Sequence, residues 1–300
     1  MVENILLKNL STSGELLLDV VTTPYYILEK VDWGQVEGSQ TTYRYVNQIG
    51  VYVTGVSMGS RDVSVTGWIV AISEFQMTER KKFLNMLVNP QQMLQLNYKG
   101  YVLDILPTKS IKYSAVVKDN NDVVCKFEIV GVAPDPLFKD GTETKVTAAG
   151  TIGMFHFPMM INVQDNGHPT VMMGLRQPSL IVDIYNKGAT ETGMKIVFKS
   201  LGTVKNPSLI NVNTQEFFKL NKTLASGEVV TIDTNIGSKK VIGELSGLQD
   251  NYFKYRDLSS TWLQLAVGDN LFRYNAEVGL DVLECYIYFY NRYLEVQECT

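Results

Sequence analysis

Trp262-Leu-Gln-Leu-Ala-Val-Gly-Asp-Asn270 runs into Leu271-Phe272-Arg273-Tyr274, and a long aromatic stretch then closes on Asn291-Arg292-Tyr293-Leu294. These residues decide the fold. Gly268-Asp269-Asn270 has the composition of a turn, because glycine takes positive φ freely and Asp and Asn side chains bond to nearby backbone. Beyond it, Leu283, Cys285, Ile287 and Phe289 alternate with Val282, Glu284, Tyr286, Tyr288 and Tyr290. A period of two means a strand with one apolar face and one aromatic, partly polar face. The reading is the end of a β-sandwich, without catalytic punctuation.

The same grammar extends upstream. Apolar runs at 180–185, 194–198 and 229–232 are each bounded by turn residues: Asn186-Lys187-Gly188, Gly202 and Ser226-Gly227-Glu228. Short strands about ten residues apart predict a sandwich or jelly roll. Pro134 and Pro136 argue for an extended junction, and the small polar residues at 139–150 read as a linker or surface loop. The junction divides the chain into domains 1–136 and 137–300.

The first half is also strand-rich. Val63, Val65, Gly67, Ile69 and Ala71 share one face, while Trp68 and Val70 leave the other only partly polar. Together with the alternation at 51–56, this predicts strands that are sticky on both sides and covered by more than their own core. One helix interrupts the pattern. Thr78 is its expected cap, Phe83/Leu87 and Leu84/Val88 pair at i,i+4, and Asn89-Pro90 stops it. Hairpins are expected at 93–106, turning at Lys99-Gly100, and at 111–132, turning over 119–122.

Bulk properties narrow the function. Three hundred residues with 45% hydrophobic and 19% charged side chains can bury one or two cores. A formal net charge of −4 argues against a broad or sequence-specific nucleic-acid surface. Cys125, Cys285 and Cys299 are odd in number and lack CxxC spacing, which predicts reduced thiols and assembly in cytoplasm. No signal peptide is visible, and no apolar run approaches the roughly 20 residues of a membrane helix.

Catalytic signatures are missing: there is no GxSxG, no GxxxxGK[ST] and no GxGxxG. His156 and His168, across Phe157-Pro158, fit no metal-ligand spacing. The carboxylate pairs Glu228/Asp233 and Asp135/Asp140 carry no weight by proximity alone among 31 acids. The expectation is a non-enzyme with no cofactor and no metal.

The order of elements resembles the distal tail protein (Dit) family of long-tailed, siphovirus-type bacteriophages or prophages. The resemblance is carried by residues 80–90 with the hairpin at 94–105, by 134–138, and by Phe157-Pro158, Asn186-Lys187-Gly188 and Asn206-Pro207. It continues through Gly227-Glu-Val-Val-Thr-Ile-Asp-Thr234 and residues 262–294. It implies a mainly β chain: a β-rich, ring-forming N-terminal domain with one α-helix, then a peripheral, galectin-like β-sandwich of jelly-roll type. It also implies a homohexameric ring, single or two stacked, closed by β-augmentation between neighbours. Such a ring sits at the virion tail tip, between the tail tube protein and the tail-tip hub protein. It leaves a channel for DNA, and in some members it holds receptor-binding proteins.

A second reading is a carbohydrate-binding module contacting the host wall through the C-terminal domain. Trp262, Asn270 and Arg273 are the residue types of a glycan or protein contact; the alternative is that Trp262 is core and Gly268-Asp269-Asn270 only a turn. Tyr286, Tyr288, Tyr290 and Tyr293 suit a docking face and a sandwich rim equally. The 233–257 segment, with Lys239-Lys240 and Tyr252-Phe253-Lys254-Tyr255, reads either as a gripping arm or as ordinary strand and turn.

Overall fold

The computed structural model describes residues 4–19, 25–47, 49–116, 119–121, 123–149, 151–153, 162–163, 169–170, 174–176 and 181–296, with backbone only at 149 and from 151 to 176. It forms two compact units, residues 1–141 with 293–300, and residues 142–292.

The first unit contains β1 (Asn4–Asn9), β2 (Glu15–Asp19), β3 (Tyr26–Asp32), β4 (Gly38–Tyr43), β5 (Tyr52–Met58) and β6 (Arg61–Val70). After α1 (Glu74–Leu87) come β7 (Leu94–Tyr98), β8 (Tyr101–Pro107), β9 (Lys112–Tyr113), β10 (Val124–Ala133) and β11 (Phe138–Asp140). Seven strands follow one another in the order β8-β7-β1-β2-β3-β6-β10, and β10 returns to β8 through Val132↔Leu106 and Gly131↔Pro107. The sheet therefore closes into a barrel, with its narrowest contacts at the single β2–β3 bridge Asp19↔Ile27 and at β8–β10. The alternation expected in β6 holds: Val63, Val65 and Ile69 are buried inside, against Phe127 and Ile129 of β10. Gly67 completes that face because a Cβ there would lie 2.7 Å from both the Phe127 ring and the Ile27 carbonyl. The β7–β8 turn uses Lys99 and Gly100 at φ 50° and 83°, the paired positive values of a tight hairpin turn.

The helix begins one turn before the expected Thr78. Ser73 is the cap: its hydroxyl accepts the Gln76 N–H at 3.4 Å, and the Gln76 side chain accepts the Ile72 N–H at 3.3 Å. This Ser-x-x-Gln arrangement, a variant of the capping box in which Gln76 reaches the residue before the cap, satisfies two N–H groups at the helix start. Met77, Leu84 and Leu87 face the core, whereas Phe83 stays exposed.

Placed by sequence at 136, the break between domains lies at 141/142 in the structure. Leu137 and Phe138 are buried, and β11 pairs with β8. The stretch at 139–150, read as a linker or surface loop, runs through the strands Phe138–Asp140 and Thr144–Ala149, and Lys139 bonds outward to Asp104 and Asp135 at 3.4 and 3.3 Å. The segment before β10 contributes only the two-residue β9.

The second unit is a sandwich of a six-stranded and a four-stranded antiparallel sheet. The larger runs Thr144–Ala149, Leu283–Phe289, Met194–Ser200, Val229–Asp233, Lys240–Leu245, Leu248–Asn251; the smaller runs Ile181–Asn186, Gly268–Asn275, Ser208–Asn211, Phe217–Lys219. Their inner faces meet through Ile196, Phe198, Ile232, Cys285 and Ile287 from one, and Leu209, Phe218 and Phe272 from the other. The predicted face Leu283, Cys285, Ile287, Phe289 is buried throughout. The 233–257 segment is ordinary hairpin and turn, at the edge of the larger sheet.

Candidate assembly surface

β3 and β6 pair antiparallel in the barrel, and the same two chain segments continue beyond it as β4 and β5, paired from Gly38↔Met58 to Tyr43↔Tyr52. Gly34 and Gly59 shape the exit. At Gly34, φ is 61° and a Cβ would lie 2.0 Å from the Asp62 carbonyl oxygen, so no side chain fits where the chain crosses β6. Gly59 donates its N–H to the Glu37 carbonyl at 2.8 Å. A bulge between Thr41 and Thr42 sharpens the ribbon's twist.

Every residue of β4 and β5 is exposed, and among the described residues no third strand joins them. Both outer edges thus present unpaired backbone groups. The side chains are not those of a solvated ribbon either. Tyr43, Tyr52, Val53, Val56 and Met58 stand in solvent, with Tyr45, Val46, Ile49 and Val51 at the tip. Tyr45 packs edge-on against Tyr43 and Tyr52, at 4.7 and 6.1 Å. Between residues 38 and 58 the sole charge is Arg44. Soluble proteins blunt exposed edges with Lys, Pro or short strands, and a lone two-stranded hairpin is marginal in water. The two-sided stickiness expected for this half of the chain is fullest in β5, which is exposed throughout; β6 buries one face in the barrel and leaves Trp68 and Val70 half-exposed on the other.

In the second unit, two of the three residues proposed from sequence as a contact, Asn270 and Arg273, lie on opposite faces of one strand. Asn270 is buried. Its side-chain N–H groups donate to the carbonyls of Ala266 (2.8 Å), Gly268 (2.9 Å) and Ile184 (3.4 Å), while its Oδ1 accepts the Ala266 N–H at 2.9 Å. All its polar capacity holds the turn. Arg273 is three residues along the same strand, on the opposite, exposed face. Trp262 is half-buried, with Phe218 at 5.3 Å and Phe253 at 5.9 Å, and Lys239 and Arg256 above its ring at 5.8 and 5.6 Å. The tyrosine row also divides. Tyr286 and Tyr288 line the outer sheet face beneath Lys145, at 4.5 and 5.6 Å. Tyr293 is buried in the first unit's core, edge-on to Tyr101 at 5.4 Å; burial first, then Asp140, push its phenol up to about 12.

The remaining candidates have structural occupations. Glu228 is buried, pairs with Lys222 at 2.9 Å and accepts the Ala225 N–H at 2.8 Å. Burial pushes its carboxyl up, but Lys222, the Ala225 N–H and Tyr252 together outweigh it and leave the pKa below the ordinary glutamate value. Asp233 accepts from the Asn235 backbone and the Ser238 hydroxyl. His156, His168, Phe157-Pro158 and Cys299 lie outside the described residues. Among the described residues, no three His, Cys, Asp or Glu side chains gather as a metal site.

Residues 187–293 match the family model of the siphovirus-type tail component, C-terminal domain. Across nearly the whole chain, the structure is similar to that of the SPP1 Dit (gp 19.1) protein, described as a paradigm of the hub adsorption apparatus in Gram-positive infecting phages. The TM-score is 0.64 at 11% identity, covering 96% of this chain and 98% of that one. It is also similar to a chain of the phage P2 baseplate in its activated conformation with Ca: TM-score 0.57, 11% identity, 99% and 100% covered. No curated protein matches. This is the distal tail protein fold. The match of 187–293 coincides with the sandwich, so the distal tail resemblance holds where the sequence carried it most densely, and structural similarity extends the fold through the barrel.

Proposed function

We propose that the chain is a structural, non-enzymatic component of a phage tail tip. In this reading the first unit associates with copies of itself into a closed ring, six per ring, leaving a channel for DNA. The ring joins the tail tube to the tail-tip hub, and the second unit is peripheral and carries adhesion proteins. Assembly takes place in the host cytoplasm.

The observation that carries the reading is the β4–β5 ribbon. Among the described residues β4 and β5 pair only with each other, so each keeps one edge open along its whole length. Pairing β4 of one copy with β5 of the next satisfies both edges and covers the tyrosine and valine faces. Repeated head to tail, that contact ends only when the ring closes. Unlike a fold-level analogy, this reading rests on a ribbon whose interval carries one charge, Arg44, and to which no third strand pairs among the described residues.

The test is solution mass by light scattering over a concentration series. The expected result is a closed species near six or twelve times 33.7 kDa that does not grow with concentration. Tyr52→Lys with Val53→Lys, both exposed, is expected to give monomers with unchanged melting. A wild-type chain that stays monomeric even with purified tail tubes, or a double variant that assembles like wild type, overturns the proposal.

A further inference from the structure

The second unit holds a groove that the ring does not explain. It has a volume of about 440 Å³, and its polar and aromatic lining is Lys239, Lys240, Gln249, Asp250, Asn251 and Phe253, on the outer side of the last hairpin of the larger sheet. Lys239 and Phe253 also belong to the aromatic cluster around Trp262, so groove and cluster are continuous. Phe253 is 46% exposed and lies within 32° of parallel to the Trp262 ring.

The electrostatics are one-sided. Residues 239–256 contain Lys239, Lys240, Lys254 and Arg256 against Glu244 and Asp250, four cations to two carboxylates, in a chain of net charge −4. Neither Lys239 nor Lys240 has an ion pair with a described residue, whereas Lys195, Lys199, Lys219 and Lys222 of the same unit all do. The Asn251 Oδ1 accepts the Phe253 N–H at 2.9 Å, while its amide N–H groups donate to no described residue. The comparable groove of the first unit, about 390 Å³, is different: Lys126 and Lys112 there are matched by Glu29 and Glu128 at 2.7 and 3.9 Å.

We infer that the Lys239–Phe253 groove binds an anionic saccharide, a sugar ring laid on the exposed Phe253 ring with its phosphate or carboxylate on Lys239 and Lys240. The aromatic face is electron-rich and attracts the polarised C–H groups of a sugar ring. Lys239 and Lys240, neither in an ion pair with a described residue and facing the single carboxylate of Asp250, supply the anion's counter-charge, and the Asn251 amide donates to ring hydroxyls. Size and edge chemistry favour a small ligand over a protein partner. The volume is in the range of small-molecule sites, and the open edge beside it, Leu248–Asn251, has only four residues and includes Asp250, too short and too charged for strong strand addition. This inference is independent of the ring.

The test is an amide-resolved NMR titration of the full chain with glucose 6-phosphate, glucose, inorganic phosphate and a poly-glutamate peptide in parallel. The expected result is saturable glucose 6-phosphate binding in the millimolar range, mapped to 239–253 and at least about tenfold tighter than glucose or phosphate alone. Lys239→Ala with Lys240→Ala should weaken it about tenfold or more. Phe253→Ala should do the same for the sugar phosphate while leaving inorganic phosphate unchanged. All three side chains are exposed, so folding is preserved and is checked by the rest of the spectrum. Equal affinity for glucose, equal affinity for phosphate, tighter binding of the peptide, or shifts mapping elsewhere each overturn the inference.

Discussion

The C-terminal residues 293–296 should be worth several kilocalories to a barrel whose last other strand ends 150 residues earlier. Tyr293 is 9% exposed in the first unit's core, edge-on to Tyr101. Next to it, the Leu294 carbonyl accepts a hydrogen bond from the buried Arg61 guanidinium, which also lies over the Phe138 ring at 4.8 Å. Burial pulls the Arg61 pKa down and Glu295 works against that. Removing a large buried aromatic side chain costs about 3–5 kcal/mol, and the lower end suits a ring whose edge reaches solvent. Tyr293→Ala should therefore cost about 3 kcal/mol. Truncation after Arg292 also leaves Arg61 without its acceptor, adding about 1–3 kcal/mol. The total of about 4–6 kcal/mol is comparable to the whole stability of many domains.

The assay is urea unfolding combined with hydrogen exchange at the β8 and β11 amides. With a slope of about 1–3 kcal/mol/M, Tyr293→Ala should lower the first unit's midpoint by roughly 1–3 M and raise exchange there first. Arg61→Met in the truncated chain should recover part of the loss, because it removes the uncompensated charge while keeping its volume. An unchanged midpoint for Tyr293→Ala, or a loss confined to amides of the second unit, would refute the reasoning.

Two further outcomes follow from the second unit. Asn270→Ala should destabilise the sandwich by about 1–3 kcal/mol, since it leaves buried turn backbone unsatisfied, whereas exposed Arg273→Ala should stay within about 0.5 kcal/mol; thermal melting separates them, and equal effects would refute the assigned roles. Glu228 has a folded pKa below its unfolded value of about 4.3, so its contribution is present above that pH and is lost as pH falls through the folded value. Glu228→Gln should lower stability by about 2 kcal/mol at pH 7, with the difference from wild type shrinking through that acid window in pH-resolved urea melts.

How much of this was legible in the sequence depends on what periodicity encodes. Period-two alternation placed Val63, Val65 and Ile69, and later Leu283, Cys285, Ile287 and Phe289, on their buried faces without error, because a face is a local property of a strand. The helix start was missed by a turn because Thr78 and Ser73 are both acceptable caps. Only the Gln76 exchange with the Ile72 N–H decides between them, and Ser73-x-x-Gln76 is the signal that would have found it. The division at 136 was read from prolines, which report backbone geometry rather than burial, whereas the compact units divide at 141/142, past the buried Leu137-Phe138. Asn270 was legible as a turn residue but not as a buried one, because an amide that caps its own turn and one that faces a ligand have the same composition.

The ribbon shows the limit most clearly. Val51, Val53 and Val56 read much like Val63 and Val65, yet the first group stands in solvent and the second lines a barrel. Alternation says which side chains share a face and nothing about what covers that face. The distinguishing signal is charge: twenty-one residues from Gly38 to Met58 hold only Arg44, whereas the outer face of β10, also solvent-facing, carries Lys126 and Glu128 in ion pairs. A strand that meets only water is kept apart from other strands by such charges. One that lacks them on both faces and both edges is protected from indiscriminate pairing only if a specific pairing occupies it first. The length of the uncharged interval is therefore itself an argument for assembly, and it could have been read from the sequence before any strand was placed.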